Sequence, residues 1–298
     1  MRVCSTSCPG VNEKCWPSRL ERTGVTGIPV APLLRWAGSK RGLLPKLLPY
    51  WPATAKRYIE PFAGSAALFF AIAPKAAILN DVNQELIQTY RTVRGRSQQV
   101  AAALGPLPRG KRSYLKLRKA NPGNMSAVDR AARFIFLNRY CFNGLYRTNE
   151  DGHFNVPYAS KRTGQLPDRE QLSRAAGCLR RAQLHSSDFE TLLKAEARKG
   201  DFVYLDPPFA VANRRVFRQY GPQVFGLEDL ERLATLLDVL DNRGVKFVVS
   251  YAYCTEALQY LSTWTQRKVL SYRNIAGFVT QRRRAAELIV SNFAPAVA

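Results

Sequence analysis

The sequence predicts an α/β fold, a Rossmann-like sheet flanked by helices, with a basic and mainly helical insertion that carries a β-hairpin. Three observations predict it. A strand, a turn of small residues and a helix follow one another from residue 57, and strands alternating with helices resume at residue 201. Between these stretches the pattern is helical and turn-rich, and the charge is strongly positive. The chain has 298 residues, enough for one large domain or two smaller ones.

The first stretch predicts the opening βαβ unit of the sheet. A strand over Arg57–Glu60 leads through the turn Pro61–Gly64 into a small and apolar helix over Ser65–Ala73. A second strand follows over Ala76–Leu79, and Gln84–Arg94 has helical periodicity.

The middle of the chain predicts two helices and a hairpin. Helical patterns cover Lys111–Lys119 and Ala127–Asn138, and a turn-rich stretch follows from Asn143 to Pro157. The Asp151-Gly152 pair between β-forming residues is typical of a hairpin turn.

The last third returns to the α/β pattern. The predicted elements are strand Asp201–Leu205, helix Leu227–Asn242, strand Val245–Ser250 and β-like runs over 267–272 and 287–291. We therefore expect a loose extension over residues 1–30, a sheet domain over 31–94 and 185–298, and an inserted domain over 95–184.

The charge is concentrated in the predicted insertion. The whole chain carries a net charge of +23, and residues 91–181 hold 19 Lys and Arg against five acids, a net +14 (19 − 5). Such a surface attracts polyanions, and the arginine fork matches phosphates and guanine edges. Double-stranded DNA is the expected partner. Solvated helix faces explain the arginines but not the shortage of acids.

The remaining composition excludes other classes. Six irregularly spaced cysteines argue against a disulfide framework and for a reducing compartment, and Cys4, Cys8 and Cys15 lack the further ligand that a metal site needs, so we expect no metal. No apolar run is long enough to cross a membrane. We expect a cytoplasmic monomer.

Two residues of the first βαβ unit are typical of a nucleoside pocket. Gly64 lies in the turn after the first strand, and Asp81 ends the second strand, close to the spacing at which an acid binds ribose hydroxyls. The second and third glycines of a dinucleotide fingerprint are missing, since Ala66 and Phe69 stand in their places. The pattern favours a nucleoside cofactor over a dinucleotide.

The sharpest motif is Asp206-Pro-Pro-Phe209 at the end of a buried strand. Two prolines fix a rigid corner without N–H donors at either position, so its carbonyls are left as acceptors. Asp206 and the Pro207 carbonyl could accept both protons of an exocyclic amine and localise its lone pair, while Phe209 stacks on the base. An ordinary strand-terminating loop is the alternative. An Asp206 carboxylate held in an internal ion pair would count against the catalytic role.

Taken together and in this order, the motifs resemble the Dam-type adenine-N6 DNA methyltransferases of bacteria and phages, a family found in restriction–modification. The resemblance covers about residues 32–293. It rests on Leu34–Lys40, Glu60–Ser65, Asn80–Asn83, Leu137–Arg147, Gly152–Pro157 and Asp206–Phe209. Ala66 stands where the family usually has a second glycine.

The resemblance implies an S-adenosylmethionine-dependent methyltransferase sheet, in which direct methyl transfer follows extrusion of the adenine from the duplex. It implies that the inserted domain recognises the target, and it points to GATC. The implied catalytic residues are Asp206, Pro207 and Phe209. The implied cofactor residues are Trp36, Lys40, Phe62, Gly64, Asp81 and Asp206. The implied DNA-binding residues are Arg35, Phe142, Asn143, Leu145, Arg147 and Pro157, with Arg147 forked onto a guanine.

Two alternatives stay open. A cytosine-N4 methyltransferase would share the corner chemistry, although Asp206 stands where Ser is common in that class. A non-catalytic DNA-binding protein with a degenerate cofactor fold would not transfer methyl groups at all. Incorporation of labelled methyl into DNA, followed by identification of the modified base, distinguishes all three.

Overall fold

The computed structural model describes residues 30–160, 163–209, 225–272 and 284–296. Most of the extension predicted for residues 1–30, with Cys4, Cys8 and Cys15, lies outside this part of the chain. Among the described residues no helix is both long and apolar enough to cross a membrane.

Seven strands of the described chain form one sheet in the order β3-β2-β1-β4-β5-β7-β6. Their bounds are Tyr58–Glu60 (β1), Ala77–Asn80 (β2), Ala182–His185 (β3), Phe202–Leu205 (β4), Lys246–Ala252 (β5), Thr265–Tyr272 (β6) and Arg284–Ser291 (β7). The first five strands in chain order pair in parallel, and β7 runs antiparallel to both β5 and β6. Ile59 of β1 lies opposite Ile78 on one side and Val203 on the other.

Nine α-helices are present in the described residues. They are Leu44–Leu47 (α1), Ala67–Ile72 (α2), Gln84–Leu104 (α3), Lys111–Lys119 (α4), Ala127–Tyr140 (α5), Arg169–Leu179 (α6), Phe189–Glu196 (α7), Leu227–Asn242 (α8) and Thr255–Tyr260 (α9).

Helices cover both faces of the sheet, and the strands alternate between the two cores. Tyr58, Phe202 and Tyr204 pack with the buried side chains of α1 to α6 on one face. Ile59 and Val203 pack with those of α7, α8 and α9 on the other. The central parallel strands are buried on both faces, which is why they are nearly uniformly apolar.

The predicted mixed α/β fold with a sheet is confirmed, and so are most of its elements. Helix α3 continues beyond the predicted end at Arg94, with a non-helical residue at Arg96. Three further elements of the middle region, α6, β3 and α7, were not predicted.

The predicted borders of the insertion cut through structural elements. Helix α3 crosses the border at 94/95, and β3 pairs with β2 inside the sheet although most of it precedes residue 185. Side chains of α4, α5 and α6 share one continuous core with the sheet. The division of the chain into a catalytic and a recognition domain stays a prediction.

Many arginines of the basic stretch hold the fold together. Arg91 and Arg94 donate to carbonyls of β3, and Arg133 and Arg139 donate to carbonyls of residues 117–118 and 32–33. Burial lowers the pKa of Arg139 to about 10, so its charge persists at pH 7. These side chains add to the positive field while their donors are used internally, so the charge count overstates the number of arginines that could grip a phosphate.

Candidate active site

The candidate site lies where the order of the sheet reverses. Strands β1 and β4 are parallel neighbours from which β2 and β5 extend in opposite directions. In open α/β sheets such a point opens a crevice at the carboxyl ends of the strands. The turn Pro61–Gly64 follows β1 and the corner Asp206–Phe209 follows β4, so the topology brings the two predicted motifs to the same edge.

Asp206 is held by two side chains, both on Oδ1. Lys40 Nζ lies 2.6 Å from it, and the Ser250 hydroxyl donates to it at 3.0 Å. Since Ser250 has one proton to donate, the Tyr204 hydroxyl, 2.8 Å from Ser250 Oγ, acts as donor in its turn. Burial raises the pKa of Asp206, and the neighbouring Lys40 opposes that rise.

The Lys40–Asp206 contact is the internal ion pair that the sequence analysis counted against a catalytic Asp206. Two features limit its weight. Lys40 is itself one of the residues predicted to lie in this site, and its Nζ also has the Gly38 carbonyl at 3.1 Å and Glu287 Oε2 at 3.8 Å. Lys40 therefore has other acceptors within reach, and Asp206 is 20% exposed.

Phe209 closes the corner. Its ring packs edge-on against Tyr251, with centroids 5.1 Å apart, and Lys40 Nζ lies 5.1 Å from its centroid. The predicted catalytic residues Asp206 and Phe209 thus share one neighbour, the predicted cofactor residue Lys40.

The turn after β1 forms the second half of the site. The N–H groups of Gly64 and Asn83 each donate to Asp81 at 2.9 Å, through Oδ2 and Oδ1 respectively. Gly64 has φ +46°, and a Cβ there would lie 2.7 Å from Trp36 Cδ1, so the indole presses on the bare backbone. The predicted cofactor residues Trp36, Gly64 and Asp81 are thereby brought together.

Phe62 and Ala66 point elsewhere. The Phe62 ring packs with Phe189 and Phe225, at centroid distances of 5.2 and 6.1 Å. Ala66 is fully buried in the core beneath the turn, with φ +50° at the start of α2. Its methyl group therefore packs in the protein interior.

The predicted hairpin is present between Cys141 and Tyr158, with β-bridges between these two residues and between Thr148 and Phe154. Arg147 donates through Nε to Asn155 Oδ1 at 2.7 Å, and the Asn155 N–H donates back to the Arg147 carbonyl at 3.0 Å. The Arg147 guanidinium is therefore held in one orientation across the hairpin. Among the described residues Asn155 was not predicted as part of any site.

The other predicted DNA-binding residues lie on or beside this hairpin. Phe142 is 40% exposed, Asn143 has φ +54° in the adjoining turn, and Pro157 is exposed. Leu145 is half-buried and packs against the core. These four residues share the hairpin with Arg147.

Arg35 is fixed between α5 and the hairpin. The side-chain amide of Asn138 bonds both main-chain groups of Arg35, accepting from its N–H at 2.8 Å and donating to its carbonyl at 2.5 Å. A Cβ on Gly144 would lie 2.8 Å from Arg35 Cβ, so the hairpin lies directly against this residue. The segment that carries Arg35 and Trp36 thus contacts the hairpin and the turn after β1.

Comparison with known proteins decides the family. The family model described as D12 class N6 adenine-specific DNA methyltransferase matches residues 36–275. The chain belongs to this family. It is 34% identical over 275 residues to the type II methyltransferase M1.LlaDCHI of Lactococcus lactis subsp. cremoris, covering 89% of this chain and 96% of that protein.

Two further relatives carry related names. Type II methyltransferase M.MjaIII of Methanocaldococcus jannaschii is 31% identical over 288 residues, covering 89% of this chain and 99% of that protein. A DNA adenine methylase of Vibrio cholerae serotype O1 is 30% identical over 223 residues, covering 73% of this chain and 79% of that protein. The predicted adenine-specific DNA methyltransferase is confirmed at the level of family and activity.

Several residues of this methyltransferase site were missed from the sequence. Ser250 and Tyr251 end β5, next to the strand that delivers Asp206, so the parallel pairing of the two strands could have indicated them. Glu287 is buried in β7 and accepts a hydrogen bond from Ser271. A single acid in an otherwise apolar strand is the signal that could have indicated it.

We expect Ser250→Ala to slow methyl transfer. A hydrogen bond to a charged group contributes about 1.5–3 kcal/mol, so its loss should lower kcat about ten- to a hundredfold if it holds Asp206 in the productive orientation. Single-turnover incorporation of labelled methyl into DNA measures this. Ser262→Ala, on the exposed surface, is the matched control. A rate for Ser250→Ala equal to that of the control would contradict the role.

Proposed function

We propose that this methyltransferase uses S-adenosylmethionine to methylate adenine N6 in the duplex sequence GATC. The observation that carries the proposal is the meeting of the Gly64–Asp81 turn and the Asp206 corner at the reversal point of the sheet. The relatives support transfer to adenine in DNA. The residues Arg35, Leu145, Arg147 and Pro157 are the support for GATC.

The residues of the turn fit a nucleoside methyl donor. A carboxylate has about four acceptor positions, and Asp81 uses two of them for the Gly64 and Asn83 N–H groups, which leaves acceptors for ribose hydroxyls. Gly64 presents bare backbone, and Trp36 supplies an aromatic wall. S-adenosylmethionine, when bound, supplies an electrophilic methyl group on a sulfonium.

The corner would orient the base. Asp206 and the Pro207 carbonyl would accept the two N–H groups of the adenine amine, while Phe209 stacks on the ring at about 1–3 kcal/mol. Lys40 would then move from Asp206 towards the Gly38 carbonyl and Glu287, both of which lie near its Nζ. The amine nitrogen gains the methyl group and gives up one proton.

No covalent enzyme intermediate is proposed. Burial raises the pKa of Cys141 to about 12, and burial also raises the pKa of Cys178 and Cys254. These thiols therefore stay protonated at neutral pH and lack the thiolate that a nucleophile needs.

Digestion of DNA from an expressing strain tests the proposal. Protection against GATC nucleases that are blocked by adenine methylation is the expected result, with N6-methyladenine as the modified base. N4-methylcytosine would replace the proposal by the cytosine alternative. N6-methyladenine in another sequence would retain the chemistry and overturn GATC, and absence of labelled methyl would overturn the enzyme.

Arg147→Ala is expected to relax the sequence choice at one guanine. A bidentate arginine–guanine contact discriminates by about 1–3 kcal/mol, so kcat/KM on the matching and mismatched duplexes should converge by about ten- to a hundredfold. Arg112→Ala, exposed on α4, is the control, because loss of a phosphate contact weakens binding to all sequences alike. If Arg147→Ala keeps the wild-type preference at all four positions, the role is wrong.

Binding of the product S-adenosylhomocysteine is expected to depend on Asp81 ionisation. Burial raises the pKa of Asp81 to about 6, against the accepting hydrogen bonds from Asn83 and Gly64. The raised pKa means that ionising Asp81 costs the free protein stability as the pH rises from its ordinary value of 3.8 to about 6.

Only the ionised carboxylate accepts from both ribose hydroxyls. Affinity should therefore be constant above pH 6 and fall up to about tenfold per pH unit below it, as one proton is taken up before binding. Calorimetric titration across this range measures the profile. Asp81→Asn should bind more weakly and show no such step, and a step that persists in Asp81→Asn would assign it to another group.

A further inference from the structure

The inner side of the hairpin contacts the wall of the proposed cofactor pocket. The Tyr146 ring stacks on Trp36, with centroids 6.0 Å apart and an interplanar angle of 17°. On its other side the Trp36 indole presses on Gly64. One indole therefore lies between the turn after β1 and the hairpin.

Tyr146 also approaches the Asp81 loop. The side-chain amide of Asn83 lies near enough to the Tyr146 hydroxyl to oppose the rise in the pKa of Tyr146 that burial causes. Asn83 is 8% exposed, its Oδ1 caps α3, and its Nδ2 is buried without a hydrogen-bond partner in the described part of the chain. A small shift of the hairpin would give this amide a partner in the Tyr146 hydroxyl.

These contacts form a closed circuit. Gly64 and Asn83 both donate to Asp81, Asn83 approaches Tyr146, and Tyr146 stacks on Trp36, which returns to Gly64. Tyr146 is the only member of this circuit that the hairpin supplies. The next residue along, Arg147, is the proposed reader of guanine.

Resting on the proposed function, we infer that Tyr146 is a positioning residue that couples the cofactor pocket to the recognition hairpin. Ligand in the pocket fixes Trp36 and the Asp81 loop, which fixes Tyr146 and with it the hairpin. DNA on the hairpin acts in the reverse direction. By linkage, each ligand then raises the affinity for the other by the same factor.

Calorimetry on the full chain tests the coupling. S-adenosylhomocysteine is titrated into the free protein and into the protein bound to a short duplex that carries one site methylated by the wild type. For the wild type the two dissociation constants should differ at least about fivefold, the lower end of common coupling factors. Tyr146→Leu and Tyr146→Met should bring the ratio to about one, and Tyr146→Phe should keep most of it because the stack remains.

The control is Phe154→Leu, which removes another aromatic ring of the hairpin that contacts Tyr146. It should keep the wild-type ratio. A wild-type ratio of one, an undiminished ratio in both Tyr146→Leu and Tyr146→Met, or an equal loss in Phe154→Leu would overturn the inference. Failure of the proposed function is distinguishable, because it shows as absent adenine methylation by the wild type before any coupling is measured.

Discussion

Asp206→Asn is expected to lower the rate of methyl transfer by at least about 10²–10³-fold, the loss seen when one preorganised group that stabilises the reacting centre is removed. The amide keeps the size of the side chain but loses the charge that both Lys40 and Ser250 address at Oδ1. It also replaces one acceptor by a donor that faces the adenine amine. Single-turnover transfer of labelled methyl to a duplex measures the rate.

Two measurements show whether this loss belongs to the chemical step. Dissociation constants for DNA should change little, since Asp206 is not among the proposed DNA contacts, and Asp238→Asn, exposed on α8, should transfer methyl groups at the wild-type rate. An unchanged melting temperature for Asp206→Asn excludes a loss through unfolding. A rate within tenfold of wild type would mean that the Lys40–Asp206 pair is structural and that another group orients the amine.

The sequence could predict the βαβ opening because its signals are local. The turn Pro61–Gly64 separates an apolar strand from an apolar helix, and the hairpin has its Asp151-Gly152 turn. Strand β3 was missed because it lies at the edge of the sheet, where Gln183 is exposed and only two of four residues are buried. Helix α6 does carry a readable signal, the capping box formed by Asp168 and Gln171.

The site could be predicted as motifs but not as contacts. Lys40 and Asp206 come from distant segments, and only the order of the strands brings the N-terminal turn beneath the corner after β4. The same applies to Asn138, whose side chain satisfies the backbone of Arg35 across the fold. Pairings of this kind depend on tertiary packing, which periodicity and spacing do not encode.

Gly64→Ala is expected to impair both folding and binding of S-adenosylhomocysteine. At φ +46° a side chain costs about 1–2 kcal/mol in backbone strain, and forcing an extra carbon into a packed interior costs about 1–3 kcal/mol more. The new Cβ would lie 2.7 Å from Trp36 Cδ1 and 2.9 Å from Nε1, so the indole has to move. Denaturant unfolding and calorimetry measure the two effects.

The direction in which the strain is relieved decides what is lost. If Trp36 yields, its stack with Tyr146 is disturbed and the hairpin moves with it; if the turn yields, the Gly64 N–H leaves Asp81 and the Tyr90 hydroxyl loses the Gly64 carbonyl that it bonds at 2.8 Å. Either way the pocket wall changes shape, so affinity falls together with stability. Gly42→Ala, where a Cβ would have no heavy atom within 4 Å, should leave both unchanged. Wild-type melting and affinity in Gly64→Ala would show that the indole does not pack on this turn in solution.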